Sequence, residues 1–74
     1  MNRIRNEKKL KALGRRIKLL RKNQHISQAQ LAFEASIPRV QIGRIERAQI
    51  NPTASTLFAI ADALNVSVKD LFDF

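Results

Sequence analysis

The sequence predicts an all-α domain of five helices, and three observations support this fold class. Only two prolines and two glycines interrupt the 74 residues. Apolar residues recur at the three- and four-residue spacings of helices, without the alternation of half-buried strands. A serine or threonine suited to capping precedes several of the apolar segments. The length suits one domain, which we assign to residues 7–74, after a flexible basic arm at residues 1–6.

The first helix is predicted from about Glu7 to Asn23. Its inner face is a single apolar stripe formed by Leu10, Leu13, Ile17 and Leu20. Residues three and four apart lie on one side of a helix, so this stripe can face a core while basic side chains occupy the other faces.

Two short helices are predicted next, over Ser27–Ala35 and Pro38–Arg47. The hydroxyl of Ser27 can accept a hydrogen bond from an unpaired backbone N–H, which makes serine a good N-cap. Pro38 disfavours helix at the residue before it and suits the first turn of a new helix. The second of these helices is weakly apolar and rich in long polar side chains. Two short helices joined by a tight turn have the spacing of a helix-turn-helix, whose second helix enters the major groove of DNA.

The carboxyl-terminal third predicts two more helices. Thr53 can cap a fourth helix that extends to about Leu64. Ser67, followed three residues later by Asp70, resembles a capping box in which aspartate replaces the usual glutamate. This box would open a short fifth helix.

The positive charge is concentrated at the amino-terminal end. Residues 1–22 carry ten Lys or Arg and one acidic residue, whereas residues 23–74 carry four basic and five acidic residues, for a net charge of +8. A concentrated basic segment suggests a polyanionic partner such as nucleic acid. Charge alone leaves a solvated basic helix face as an equal alternative.

Composition argues against several classes of function. The chain has no cysteine, which removes disulfides, thiol catalysis and cysteine-ligated zinc. His25 is the only histidine and has no clustered acidic partner, so we expect it to be structural and expect no metal or cofactor. We find no arrangement of acid, base and nucleophile, and we predict no enzyme activity. No run of 18 apolar residues exists, so we expect no membrane association and a cytoplasmic location.

The stretch SQAQLAFEASIPRVQIGRIERAQINP, followed by STLFAIADALNVSVKDLF, resembles the phage-repressor/Cro-like (XRE) helix-turn-helix family. The resemblance covers Leu13 to Phe72, and the small free-standing regulators are most similar, including restriction–modification controllers and phage repressors. It implies a five-helix, lambda-repressor-like domain with a central helix-turn-helix. It also implies a sequence-specific transcriptional regulator that binds a pseudo-palindromic operator in double-stranded DNA as a dimer.

The resemblance also implies roles for individual residues. The positions that contact bases are Arg39, Val40, Gln41, Gly43 and Arg44. The positions that contact phosphate are Ser27, Gln28, Arg47 and Arg16. Arg39 and Arg44 could each donate two hydrogen bonds to guanine O6 and N7. Arg21 and Glu46 match a family ion pair that links the first helix to the recognition helix and fixes its angle.

Three positions depart from the family pattern by lacking a glycine: His25, Ser36 and Ala48. Such turn positions often need a positive φ, which costs a non-glycine residue about 1 kcal/mol. Either these turns are rebuilt or the domain is less stable than its relatives. Gly43 is the reverse case, a glycine inside the recognition helix. Two explanations fit equally well: close approach of the Gly43 backbone to DNA, or a neutral substitution that the helix tolerates.

The last nine residues contain an apolar set that needs a cover: Val66, Val68, Leu71, Phe72 and Phe74. They could pack on the first helix or form a symmetric dimer interface, and the resemblance favours the homodimer.

A contact with RNA polymerase near Glu34 is a further expectation. The main alternative function is a DNA-binding antitoxin, which would need an additional toxin-binding tail that we do not find. A protein-only adaptor is a weaker alternative, because its recognition helix should carry an apolar stripe.

Overall fold

The computed structural model describes residues 4–74, which form five helices in chain order. They are α1 (Glu7–Asn23), α2 (Gln28–Ala35), α3 (Arg39–Glu46), α4 (Ala54–Leu64) and α5 (Val68–Leu71). No strand occurs between residues 4 and 74, which confirms the all-α fold class. Residues 1–3, half of the predicted arm, lie outside the described residues.

The helix starts follow from local capping chemistry. The Ser27 hydroxyl accepts from the Gln30 N–H at 3.0 Å, and the Thr53 hydroxyl accepts from the Thr56 N–H at 3.2 Å. At α5, the Asp70 carboxylate accepts from the backbone N–H of Ser67 at 3.0 Å. These bonds satisfy N–H groups that the first helical turn leaves without partners. The predicted caps are therefore in place, and Ser27 and Pro38 lie just outside their helices.

Four helix ends share one closing geometry. The residues at these ends have positive φ, with values of 58°, 57°, 58° and 57° at His25, Ser36, Ala48 and Asn65. After each one, the next N–H donates to the carbonyl five residues earlier, at distances of 2.8–3.3 Å. This is the Schellman closure, in which a left-handed residue ends the helix. The three glycine-free turns are therefore not rebuilt, and they keep the left-handed conformation.

The core is shared by all five helices. Helix α1 packs against α3 and α5, α2 packs against α3 and α4, and α4 packs against α5. The largest fully buried side chains are Ile17, Leu31, Ile42, Ile45, Ile60, Leu64 and Leu71. Helix α3 is thus held between α1 and α2 through two isoleucines. None of the helices described between residues 4 and 74 combines the length and hydrophobicity that crossing a bilayer requires.

Candidate nucleic-acid interface

The outer side of α3 presents long side chains to solvent. Arg39 and Arg44 are exposed, Val40 is 58% exposed and Gln41 is half-buried. Val40 and Arg44 are four residues apart and therefore lie on one face, one turn above the other. Neither Arg39 nor Arg44 has a carboxylate within salt-bridge distance among residues 4–74. Their planar guanidinium groups can therefore form paired hydrogen bonds with guanine or phosphate.

Gly43 does not belong to this exposed surface. It is buried, and a Cβ built on it would lie 2.9 Å from Nη1 of Arg47. The Arg47 side chain folds back over the glycine and donates to the Gln49 side chain at 3.3 Å. The predicted base contact by Gly43 is thus not supported, because a neighbouring side chain covers its backbone. Arg47 itself is exposed at the end of α3, where a phosphate contact stays a prediction.

The inner end of α3 is held by a buried ion pair. Arg21 donates from Nε to Glu46 Oε2 at 2.7 Å and from Nη2 to Glu46 Oε1 at 3.0 Å. The two side chains are 9% and 2% exposed. Arg21 also donates to the Ile26 carbonyl at 3.0 Å. Hydrogen bonding to Glu46 raises the pKa of Arg21 against the opposing effect of burial. The pair expected from family resemblance is present in a bidentate geometry that fixes α3 relative to α1.

Gln28 joins this ion pair to the amino-terminal end of α2. Its side-chain amide donates to Glu46 Oε1 at 3.0 Å. The amide has two N–H donors, so one remains for the predicted phosphate contact. The neighbouring Ser27 is exposed, and its hydroxyl can donate to phosphate while it accepts the helix-capping bond. The link from Gln28 to Glu46 was not predicted, because sequence spacing carries no information about it.

Arg16 has a different role from the predicted phosphate contact. Its Nε donates to the Asp70 carbonyl at 2.8 Å, and its Nη2 lies 3.6 Å from the Asp73 carboxylate. On a helix with 100° per residue, Arg16 lies about 140° or more from the face that carries Gly14 and Arg21, which contact α3. Arg16 therefore fastens α5 to α1, on a side of α1 away from α3.

Gly14 was missed by sequence reasoning and has a clear structural role. A Cβ at this position would lie 2.6 Å from the carbonyl oxygens of both Ile45 and Glu46. Both oxygens belong to the backbone of α3, so they cannot move aside as the end of a flexible side chain could. The glycine allows α1 to approach the end of α3 closely. An isolated glycine in a helical apolar pattern is the signal that could have indicated such contact.

The described part of the arm contacts the loop that follows α3. The Arg5 guanidinium donates to the Ala48 carbonyl and pairs with Glu7. Asn51 donates from Nδ2 to the Ile4 carbonyl at 3.1 Å. Ile4 and Arg5 thus lie beside the loop that follows the recognition helix, a placement that the sequence did not indicate.

The carboxyl-terminal apolar set divides between core and surface. Leu71 is fully buried, so it cannot form part of a surface offered to a second copy, contrary to expectation. Val66 and Val68 are half-buried and pack against the core. Phe72 and Phe74 remain 45% and 57% exposed and line a cavity of about 700 Å³ along α1.

Between residues 4 and 74, no group of three or more His, Asp or Glu side chains could hold a metal ion. Helix α3 is anchored at Glu46 and carries exposed arginines, and it follows the short, capped helix α2 and a tight turn. This arrangement defines a helix-turn-helix domain of the DNA-binding type.

The comparisons with known proteins agree with this class. The helix-turn-helix family model matches residues 17–71, and the chain belongs to this family. The immunity repressor protein of Bacillus phage phi105 is 45% identical over 57 residues, which cover 77% of this chain and 40% of the repressor. The chain thus spans less than half the length of that relative.

Two solved structures extend the comparison. The restriction-modification controller protein C.AhdI from Aeromonas hydrophila has a TM-score of 0.84 and 33% identity, with 85% of this chain and 96% of that chain covered. The N-terminal DNA binding domain of SinR from Bacillus subtilis has a TM-score of 0.78 and 35% identity, with 84% and 91% covered. The chain is similar to both.

Proposed function

We propose that this protein is a transcriptional regulator that binds a pseudo-palindromic operator as a homodimer through α2 and α3. The observation that carries the proposal is a contrast on α3: Glu46 is a buried anchor, and the exposed arginines on the outer side have no carboxylate partner among residues 4–74. A fixed helix with exposed arginines meets the requirements for contacts with base edges and phosphates. The names of the relatives, a phage repressor and a restriction-modification controller, support the same class of function.

In this proposal, base reading falls to the exposed residues of α3. Arg39 and Arg44 donate to guanine in the major groove, and Val40 meets a thymine methyl group. Gln41, which is half-buried, contacts either a base or the backbone. Ser27, Gln28 and Arg47 hold phosphates and set the register of the domain on the duplex.

Dimerisation would use the apolar surface that stays exposed in one copy. Phe72 and Phe74 are candidates, together with Phe58 on α4, which is 53% exposed. A two-fold dimer would present two recognition helices about 34 Å apart, which is one turn of DNA. A regulator of this kind acts beside chromosomal DNA in the cytoplasm. Contact with RNA polymerase near the exposed Glu34 stays a prediction.

Selection from random-sequence duplexes at near-physiological salt, followed by sequencing, tests the proposal. An enriched inverted repeat with half-site centres one helical turn apart is the expected result. Guanines in each half-site should be lost from the enriched set when Arg39 or Arg44 is replaced by alanine. Binding without any enriched sequence would contradict operator reading and leave a general polyanion binder. A monomeric mass on the selected site would contradict the dimer.

A further inference from the structure

A row of five cations follows the solvent side of α1. Lys8, Lys11, Arg15, Lys18 and Lys22 are all exposed, and the spacing between them is three, four, three and four residues. At about 100° per residue, the row occupies an arc of about 80° and extends about 21 Å along the helix. We call these five residues the α1 row.

The α1 row has no acidic partners of its own. Between residues 4 and 74, salt bridges join Arg5 to Glu7, Arg16 to Asp73 and Arg21 to Glu46, and none includes a member of the row. The only carboxylate on α1 is Glu7, which is held by Arg5. Like charges three and four residues apart on a helix destabilise it, so four consecutive repelling pairs work against α1. A bound polyanion would remove this repulsion.

One end of the α1 row lies near Ser27 and Gln28, the residues proposed to contact phosphate. Helix α1 ends at Asn23 and α2 begins at Gln28, so Lys22 lies beside the corner that carries Ser27 and Gln28. From there the row leads away along α1 towards Lys8.

On α1 no apolar side chain lies within the arc of the row; the exposed Leu19 and the rings of Phe72 and Phe74 lie at its border. A protein-binding surface instead has an apolar centre. Lys8 and Arg15 also line the cavity beside Phe72 and Phe74, so this end of the row adjoins the proposed dimer surface, and Lys11, Lys18 and Lys22 do not line that cavity.

We propose that the α1 row is a sequence-independent phosphate-binding surface that engages the DNA flanking each operator half-site. This inference rests on the proposed operator binding for its position and deepens it. The recognition helix selects the site, and the row adds affinity that depends on salt and on the length of the duplex. Each phosphate contact by a lysine releases condensed counterions, so the row steepens the salt dependence of binding.

Matched charge variants of the full chain test this proposal. The double variant Lys11→Gln/Lys18→Gln removes two charges from the row. The control Lys9→Gln/Lys69→Gln removes two charges from exposed lysines that lie off the row, on another face of α1 and on α5. Both variants have the same net charge and change only exposed side chains.

Affinity is measured on the selected operator alone and on the same operator extended by one helical turn of mixed sequence on each side. The wild type and the control should gain affinity from the extension, and the row variant should lose most of this gain. The slope of log affinity against log salt on the extended duplex should fall by about four for the row variant, because each dimer loses four lysine–phosphate contacts, and stay unchanged for the control. Equal effects of the two variants would overturn the proposal, because net charge alone would then explain them.

Other outcomes also contradict the row assignment. Affinity that does not depend on the extension would overturn it, as would a complex that holds two separate duplexes per dimer. Unchanged DNA binding by the row variant would instead favour an acidic protein partner. If no operator is selected, the proposed function fails separately. The comparison of salt slopes on long mixed-sequence duplexes then still tests the α1 row.

Discussion

The two sides of α3 differ in how their polar groups are partnered. On the inner side, the Glu46 carboxylate accepts three hydrogen bonds, two from Arg21 and one from Gln28. On the outer side, Arg39 and Arg44 are exposed and have no carboxylate partner among residues 4–74. The inner side therefore fixes the helix, and the outer side keeps its donors available for DNA.

This division implies that stability and recognition can be changed separately. Replacing an inner residue should alter both the free energy of unfolding and DNA affinity, because the helix loses its position. Replacing an outer residue should alter affinity and sequence preference alone. Substitutions on the two sides of α3 can test this separation.

Glu46→Ala should destabilise the domain by about 3–5 kcal/mol, because it leaves the Arg21 charge buried without a partner. The free energy of unfolding is measured by urea titration, and operator affinity is measured well below the transition. Both should fall. Unchanged stability together with unchanged affinity would show that the ion pair has no anchoring role.

A second variant separates the charge from the packing at the same place. Arg21→Met/Glu46→Leu removes both charges and should recover much of the stability lost in Glu46→Ala, since apolar pairs often replace buried ion pairs well. If the double variant is as unstable as Glu46→Ala, the loss of unfolding free energy comes from disrupted side-chain packing and not from an unpaired charge.

The two glycines provide a matched pair of alanine substitutions. Gly14→Ala should destabilise by about 1–3 kcal/mol, because its Cβ would meet the backbone carbonyls of Ile45 and Glu46. Gly43→Ala meets only the movable end of Arg47 and should stabilise by up to about 1 kcal/mol through helix propensity. Thermal or urea unfolding of both variants checks the sign of each effect. Destabilisation of similar size at both positions would contradict the close approach assigned to Gly14.

Arg39→Ala and Arg44→Ala test the outer side of α3. Each should weaken operator binding by about 1–3 kcal/mol for each half-site and relax base preference at one position of each half-site, because a bidentate contact with guanine is lost in both. Stability should change by less than about 0.5 kcal/mol, since both side chains are exposed. Competition between the operator and single-base variants gives the specificity, and urea unfolding gives the stability. Equal weakening on all sequences would assign the residue to phosphate.

The sequence predicts what is decided locally and misses what depends on distant partners. Helix limits agree with the structure to within about one residue because Ser27, Thr53 and Pro38 act on their own first turns. Leu71 was placed at an interface because apolar character predicts burial but does not tell what covers the residue. Arg16 was assigned to phosphate because its carbonyl partner at Asp70 becomes adjacent only in the folded chain. Gly14 was missed for the same reason.

The turn residues were predicted in part: the sequence indicated which positions need a positive φ but not whether they keep it. Substitutions there have the smallest predicted effect on stability. Loss of the usual glycines indicated strain at three positions, and all three have a positive φ in the structure. Ala48→Gly and Ser36→Gly should each stabilise by about 0.5–1 kcal/mol, since relief of the left-handed penalty exceeds the added freedom of the unfolded chain. Asn65→Gly is the control, because asparagine already tolerates this conformation and should gain less.

Urea unfolding of these three variants decides whether the left-handed strain is real, and operator affinity decides whether it matters for recognition. Ala48 follows the recognition helix directly, and its carbonyl accepts from Arg5. If Ala48→Gly stabilises the domain but also weakens operator binding, the strained turn helps to orient α3. We expect stabilisation with unchanged affinity, because Glu46 and the close approach at Gly14 already fix the end of α3 from the α1 side.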